Sequence, residues 1–266
     1  MTAASRPKIV GIVQARMESE RLPAKVMLDI AGSPMLVRVV ERASRAATLD
    51  QIVVATSYNE NDVSIVELCA QRAYDFFQGH PTDVLDRYRN AARSFGAEII
   101  VRITADCPLI DAEVIDTIVE AFLSADPRVD YAANRFPEHR TYPIGLDTEV
   151  CTAQALELAW KEAEQPYQRE HVMPYFYDEP GRFRILHVDN DRDYGSFRWA
   201  VDYPEDLEMI REVYARFDGR DDFSWREVIA LMESEPDLAR INARVRHKNF
   251  REVDERGAPE NARRID

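Results

Sequence analysis

The sequence predicts an α/β fold: a mostly parallel sheet flanked by helices in three layers. Two observations carry that expectation. Short β-branched runs alternate with amphipathic helical stretches from residue 8 to residue 133, and strand, crossover and strand at this rhythm build a parallel sheet with helices on both faces. The chain is 266 residues long, with 45% hydrophobic and 31% charged side chains, which suits a large α/β domain with ample core material.

The elements follow in order. Residues 8–15 are a short β-branched run with a charge at one end and read as a buried strand. Residues 16–25 are polar and contain Pro23, so they cannot be a regular helix throughout. Gly32-Ser33-Pro34 then offers a serine cap and a proline at the first helical position, opening a helix to about Ala47 with Leu36, Val39, Val40 and Ala43 on one face. Residues 51–56 read as a strand, 61–72 as a helix, 74–77 as a strand, 82–95 as a helix, 98–102 as a strand, 111–124 as a helix capped by Asp111, and 130–133 as a strand.

Past Asn134 the rhythm breaks. Strands are expected at 148–151 and 183–188, and helices at 153–163, 168–177, 204–217, 225–232 and near 237–243. The resulting organisation is a main domain over 1–217, split into halves at about 8–133 and 134–202. A helical extension with a charged tail, frayed over 251–266, occupies 218–266. The aromatic group Tyr131, Phe136, Tyr142, Tyr167, Tyr175, Phe176 and Tyr177 reads as core or dimer surface rather than a stacking platform.

Charge narrows the function classes. The net charge of −14 argues against a nucleic-acid binder, because phosphate backbones select basic faces. No apolar run approaches a membrane span, the polar start lacks a signal-peptide apolar region, and three scattered cysteines indicate neither a disulfide framework nor a CxxC metal site. A cytoplasmic, reducing location is therefore expected. The charge is unevenly spread, however: residues 1–45 hold eight basic and four acidic side chains.

Three of those basic residues, Arg16, Arg21 and Lys25, follow the first strand within ten positions, with Ser19 and the Pro23 turn among them. Ligands of open parallel sheets bind at the carboxyl ends of strands, and forked Arg contacts with a Lys point charge can surround a polyphosphate. The segment is neither a Walker loop nor a Rossmann glycine fingerprint, since no glycine lies between Gly11 and Gly32. Asp106 and Asp202 each stand at a strand-to-helix junction. As residues alone, each could cap the helix after it, or the two could converge on one Mg²⁺, which prefers carboxylate and phosphate oxygens. Asp147 and Glu149 alternate on an expected strand, as a solvated face or a ligand face. Arg169 and His171 share a helix.

The block Gln14-Ala-Arg16-x-x-Ser19-x-Arg21-Leu-Pro23-x-Lys25 strongly resembles the N-terminal signature of the CTP-dependent cytidylyltransferases that activate acidic sugars, including the CMP-3-deoxy-manno-octulosonate and CMP-N-acylneuraminate synthetases. The likeness is greatest to the spore-coat polysaccharide biosynthesis protein F branch. Further blocks match in order over residues 8–217: Val54 to Ser57 with Asp62, Asp83 to Tyr88, Val101 to Leu109, Gly145 to Glu149, Arg169 to Val172 and Arg198 to Asp206.

The resemblance implies a Rossmann-like nucleotidyltransferase fold of the GT-A type that transfers CMP from CTP to a sugar, releasing pyrophosphate, for polysaccharide or glycan synthesis. It implies Arg16, Lys25 and Asp106 as catalytic residues, with Lys25 on the α-phosphate and Arg21 toward the β/γ end. Ala15, Ser19, Thr56, Ser57 and Arg102 would complete the nucleotide site. Mg²⁺ would sit on Asp106 and Asp202, and Asp147, Glu149, Arg169 and His171 would face an acidic sugar acceptor. Some relatives carry a second carboxylate two residues before the Asp202 position, where this chain has Ala200. A homodimer through 134–180 is expected on the same ground. The alternatives are a same-fold enzyme using another nucleotide or acceptor, a non-catalytic nucleotide-sugar binder, and a glycosyltransferase. The last would need a DxD metal motif, yet Asp189-Asn-Asp191 reads as a polar turn.

Overall fold

The computed structural model describes residues 6–245; the expected frayed tail at 251–266 lies outside the described residues. In chain order the strands are β1 (Ile9–Gln14), β2 (Asp29–Ile30), β3 (Ser33–Pro34), β4 (Gln51–Ser57), β5 (Asp75–Gly79), β6 (Ile99–Thr104), β7 (Tyr131–Ala133), β8 (Arg135–Phe136), β9 (His139–Arg140), β10 (Glu149–Thr152) and β11 (Ile185–His187). The helices are α1 (Met35–Ala43), α2 (Val63–Arg72), α3 (Val84–Ser94), α4 (Ala112–Ser124), α5 (Ala153–Glu162), α6 (Pro166–His171), α7 (Pro174–Tyr177), α8 (Pro204–Arg216), α9 (Trp225–Ser234) and α10 (Pro236–Arg240).

Seven strands form one sheet in the order β11-β7-β10-β6-β1-β4-β5. β1 pairs in parallel with β4 and β6, whereas β10 runs antiparallel to both β6 and β7. Alternation along each strand feeds two cores. Ile9 and Val13 of β1 face α1, α2, α4, α8 and α9; Val10 and Ile12 face α3, α5 and α7. This is the expected three-layer arrangement.

The expected helix starts differ in two places. Ser33 and Pro34 pair with Ile30 and Asp29 in a two-stranded ribbon, so no serine side chain caps α1, which runs only from Met35 to Ala43. The helix expected over 168–177 is two short helices: Val172 takes a left-handed φ of 70°, and Pro174 opens the second helix as its first residue. The extension packs on the main core, where Val228, Ile229 and Met232 of α9 are buried. Of the aromatic group, Tyr131, Tyr142, Tyr175 and Phe176 are buried and Phe136, Tyr167 and Tyr177 half-buried; Tyr131 stacks on Phe176 at 5.1 Å.

Gly145 has a close-packing role. Its φ is +107°, and a Cβ there would stand 2.7 Å from the backbone carbon of Trp199 and 2.8 Å from the Ala200 nitrogen. The bridge Ile144 makes to the 197–199 segment needs that clearance.

Candidate functional site

β1 and β6 end side by side, with Gln14 in register with Thr104, so the loops leaving both strands begin at the same height. Two hydrogen bonds fix the basic loop. The Met17 N–H donates to Asp62 at 2.7 Å, and the Ala24 N–H donates to the Met17 carbonyl at 2.9 Å. Ala24 is left-handed (φ 56°) and leads into the 3₁₀ turn that carries Lys25. On the other side, the Val201 N–H donates to the Asp106 carbonyl at 2.8 Å, binding the two aspartate segments together. Between them lies a polar cavity of about 130 Å³ lined by Gln14, Arg16, Ser19, Arg21, Lys25, Thr104, Asp106 and Asp202, among others.

Lys25 stands at its centre. Its ammonium donates to Asp106 Oδ2 at 2.8 Å, Asp202 Oδ1 at 2.9 Å and the Val201 carbonyl at 2.8 Å. Burial alone would pull the amine down, but the two carboxylates outweigh it and hold the Lys25 pKa above its ordinary value. Burial would likewise push both aspartates up. Lys25 reverses this, with Thr104 assisting at Asp106 and Arg21 at Asp202, so both stay below the usual carboxylate range. The neighbouring Cys107 thiol is pushed well up by burial and by the charges of Asp106 and Asp147, so it offers no thiolate nucleophile.

Arg21 donates to Asp202 Oδ1 at 2.7 Å and lies over the Tyr203 ring at 5.2 Å. Arg16 is more exposed and stands 3.7 Å from Glu170 of α6. Ser19 accepts from the Leu22 N–H at 3.3 Å, shaping the loop.

The remaining expected residues divide into those near the strand ends and those spent on structure. Ala15 is buried and its N–H is taken by the Ala55 carbonyl at 3.1 Å. Thr56 is fully buried, and its hydroxyl has no hydrogen-bond partner. The Ser57 hydroxyl donates to Asp62 at 2.5 Å, so it braces the carboxylate that holds Met17.

Arg102 lies on the sheet between Gln14, at 3.2 Å, and Glu149, its cross-strand partner. Glu149 is buried and also accepts from the Tyr131 hydroxyl at 2.6 Å, so both its oxygens are committed within the protein. The sequence pattern places this residue on a solvated or ligand face; here Glu149 is interior and paired. Asp147 precedes β10 rather than alternating with Glu149 along it, and it is gripped by Arg140, with Arg135 at 3.8 Å. Arg169 forms a forked pair with Asp83 (Nε 3.1 and 3.0 Å from its two oxygens) and donates to the Trp160 carbonyl at 2.6 Å. It therefore clamps α6 to the cap of α3 rather than standing open to an anion. His171 is half-buried in the last turn of α6. Asp189 of the DxD-like turn pairs with His139 at 2.8 Å in an irregular segment.

Sequence reasoning left out Gln14 and Thr104, which line the cavity, and the pair Arg198 and Asp206, which hold Asp202. Arg198 donates to Asp202 Oδ2 at 2.8 Å and to Asp206 at 2.9 Å. The available signal was an acidic residue in the first turn after Pro204, the place where carboxylates cap backbone N–H groups. Among the described residues, no group of three or more His, Cys, Asp or Glu could hold a metal ion. Two carboxylate oxygens do share one cation, which is the protein share Mg²⁺ takes beside phosphate oxygens.

Comparison with known proteins identifies the family. A family model described as cytidylyltransferase matches residues 10–223. An uncharacterized protein of Methanocaldococcus jannaschii is 38% identical over 250 residues, 93% of this chain and 100% of its own length. The spore coat polysaccharide biosynthesis protein SpsF of Bacillus subtilis is 29% identical over 238 residues, 87% of this chain and 96% of its own. Among solved structures, a cytidylyltransferase of Leptospira borgpetersenii superposes with a TM-score of 0.85 at 31% identity, covering 91% of this chain and 100% of that one. A CMP:2-keto-3-deoxy-manno-octonic acid synthetase complexed with CTP shares the fold, at TM-score 0.58 and 22% identity over 79% and 99% of the two chains. This chain belongs to the cytidylyltransferase family.

Proposed function

We propose that this cytidylyltransferase transfers CMP from CTP to the anomeric hydroxyl of an acidic sugar, with release of pyrophosphate, for polysaccharide synthesis. One observation carries the reading: a charged Lys25 joins two ionised carboxylates in a cavity that Arg16 and Arg21 also line. The triphosphate lies along Arg16, Ser19, Arg21 and Lys25. The acceptor oxygen attacks the α-phosphorus in line, its proton passing to solvent, and pyrophosphate leaves with the electron pair of the broken bond. Positioning and charge neutralisation carry such a transfer, and Lys25 meets the charge that grows on the α-phosphate oxygen.

Asp106 and Asp202, held below the usual range, are poor proton acceptors; their role is to hold a cation. Asp106 and Asp202 would hold Mg²⁺, and the ion would supply neutralisation of phosphate charge and a lowered pKa for the attacking hydroxyl. The pyrimidine and ribose lie toward Ala15, Thr56 and Arg102. A homodimer through 134–180 belongs to the same proposal and is read by light scattering. No helix among the described residues is long and apolar enough to cross a membrane, and all three cysteines are free and buried, which supports a reducing, cytoplasmic setting.

The test is pyrophosphate release across the four nucleoside triphosphates, with and without Mg²⁺, against a panel of acidic sugars. Release confined to CTP, Mg²⁺ and an acidic sugar is expected. Release from no pair overturns the proposal.

A further inference from the structure

The family model ends at residue 223, yet the chain beyond it bonds to the residues that hold Asp202. The turn after α10 buries Asn242, which is 4% exposed. Its side-chain amide donates to the Arg198 carbonyl at 3.0 Å and to Asp206 Oδ1 at 2.9 Å. Asp206 is fully buried in the first turn of α8. Its Oδ1 also accepts from Arg198 Nε at 2.9 Å. Its Oδ2 accepts from Arg198 Nη2 at 3.1 Å and from the backbone N–H groups of Asp202 and Tyr203 at 2.9 and 3.0 Å. Arg198 Nη2 donates onward to Asp202 Oδ2 at 2.8 Å.

Both the backbone and the outer oxygen of Asp202 are therefore held from behind, and Oδ1 is turned toward Lys25 and Arg21. A carboxylate on a surface strand end has two χ angles to explore; this one has its backbone N–H and one oxygen fixed before any ligand arrives.

We propose that Asn242, with Asp206 and Arg198, is a positioning residue for the cytidylyl transfer, and that the C-terminal extension is a buttress for Asp202. This rests on the reading of Asp202 as a cation-holding residue. The buttress sets the aim of Asp202 Oδ1, and the hydrogen bonds of Asn242 and Asp206 reach the loop at 16–25 through Asp202. Groups that orient metal-binding carboxylates typically change metal affinity or activity by about 10–100-fold when removed.

The test uses the full chain and Mn²⁺ as the probe. Mn²⁺ affinity in the presence of CTP is read by electron paramagnetic resonance, beside kcat, KM for CTP and thermal midpoint. The variants are Asn242→Ala and Arg198→Lys, which keeps the buried charge, with Asp202→Asn as reference. All are assayed well below their midpoints. In Asn242→Ala and Arg198→Lys, Mn²⁺ binding and kcat are expected to fall together by about tenfold or more, with KM for CTP within about twofold of wild type. If Asn242→Ala does not fold, Arg198→Lys decides alone. Unchanged Mn²⁺ affinity and kcat in the folded variants, with Asp202→Asn impaired, overturns the buttress only. Wild-type Mn²⁺ affinity and rate in Asp202→Asn overturns the role of Asp202, and the buttress with it.

Discussion

Replacing Lys25 with methionine preserves the length of the side chain and removes its charge. The side chains concerned are 12% exposed for Lys25, 10% for Asp202 and 27% for Asp106. Breaking one partner out of a buried ion pair costs about 3–5 kcal/mol. Here water reaches Asp106, while Arg21 and Arg198 still balance Asp202, so the cost is about 2 kcal/mol at pH 7. For a domain of this size that lowers the thermal midpoint by about 4–8 °C.

The pH dependence has a definite sign. Both wild-type carboxylates have folded pKa values below their ordinary ones. Their stabilisation is thus fully present above the unfolded range near pH 4 and is lost as pH falls through the folded values. In Lys25→Met that depression is gone, and burial with mutual repulsion favours a proton on one carboxylate. The gap between variant and wild type therefore narrows as the pH drops from 7 toward 4. Added Mg²⁺ without nucleotide raises the midpoint of the variant, because the two carboxylates then face each other with no ammonium between them, and leaves wild type unmoved. Scanning calorimetry from pH 4 to 7, with and without Mg²⁺, reads all three effects. A midpoint within about 1 °C of wild type at pH 7, or a gap that does not change with pH, refutes the reasoning.

Three other changes test separate parts of the structure. Asp106→Asn removes one of the two charges that share a cation, and pyrophosphate release should fall by about 10²–10³-fold with the fold intact by circular dichroism; full activity would remove Asp106 from the reaction. Glu149→Gln strands the buried Arg102 guanidinium and is expected to cost about 3 kcal/mol in urea unfolding, whereas unchanged stability with a raised KM for the acceptor would return Glu149 to the ligand face. Gly145→Ala forces a Cβ into the backbone of Trp199 and Ala200 at a φ of +107°, costing about 2–4 kcal/mol by the same assay; a neutral result would mean that the 197–201 segment yields.

The alternation of strands and helices was legible because each parallel strand is buried on both faces and so spells a β-branched run, as Ile9 to Val13 does. The direction of β10 was not, since an antiparallel strand with two buried faces reads the same way. Ser33-Pro34 misled because a two-residue ribbon uses the same residues as a helix cap, and only pairing with Asp29 and Ile30 tells them apart. In the site, Arg16, Arg21 and Lys25 were legible because ten residues of one loop must stay together. Asp106 was legible as a strand-to-helix junction residue. Asp202 precedes α8 as expected but follows an isolated bridge at Arg198 rather than a strand, and the two segments, 95 positions apart, are joined by a backbone hydrogen bond. The partners of Glu149 and Arg169 were hidden for the same reason: register across β6 and β10 puts Arg102 beside Glu149, and packing of α6 on α3 puts Asp83 beside Arg169.

The loop between Met17 and Ala24 has a consequence for how a nucleotide arrives. Its two ends are tied to each other, and Asp62 ties one of them to the sheet. The conformational entropy of these polar residues is therefore surrendered once, when the chain folds, and not again at each encounter. An anion meeting Arg16 and Arg21 has only side-chain rotors left to quench, so more of the contact energy survives as affinity. On the proposed placement of the triphosphate, loosening Asp62 would move that ordering into every catalytic cycle, weakening nucleotide capture without removing any group assigned to phosphate.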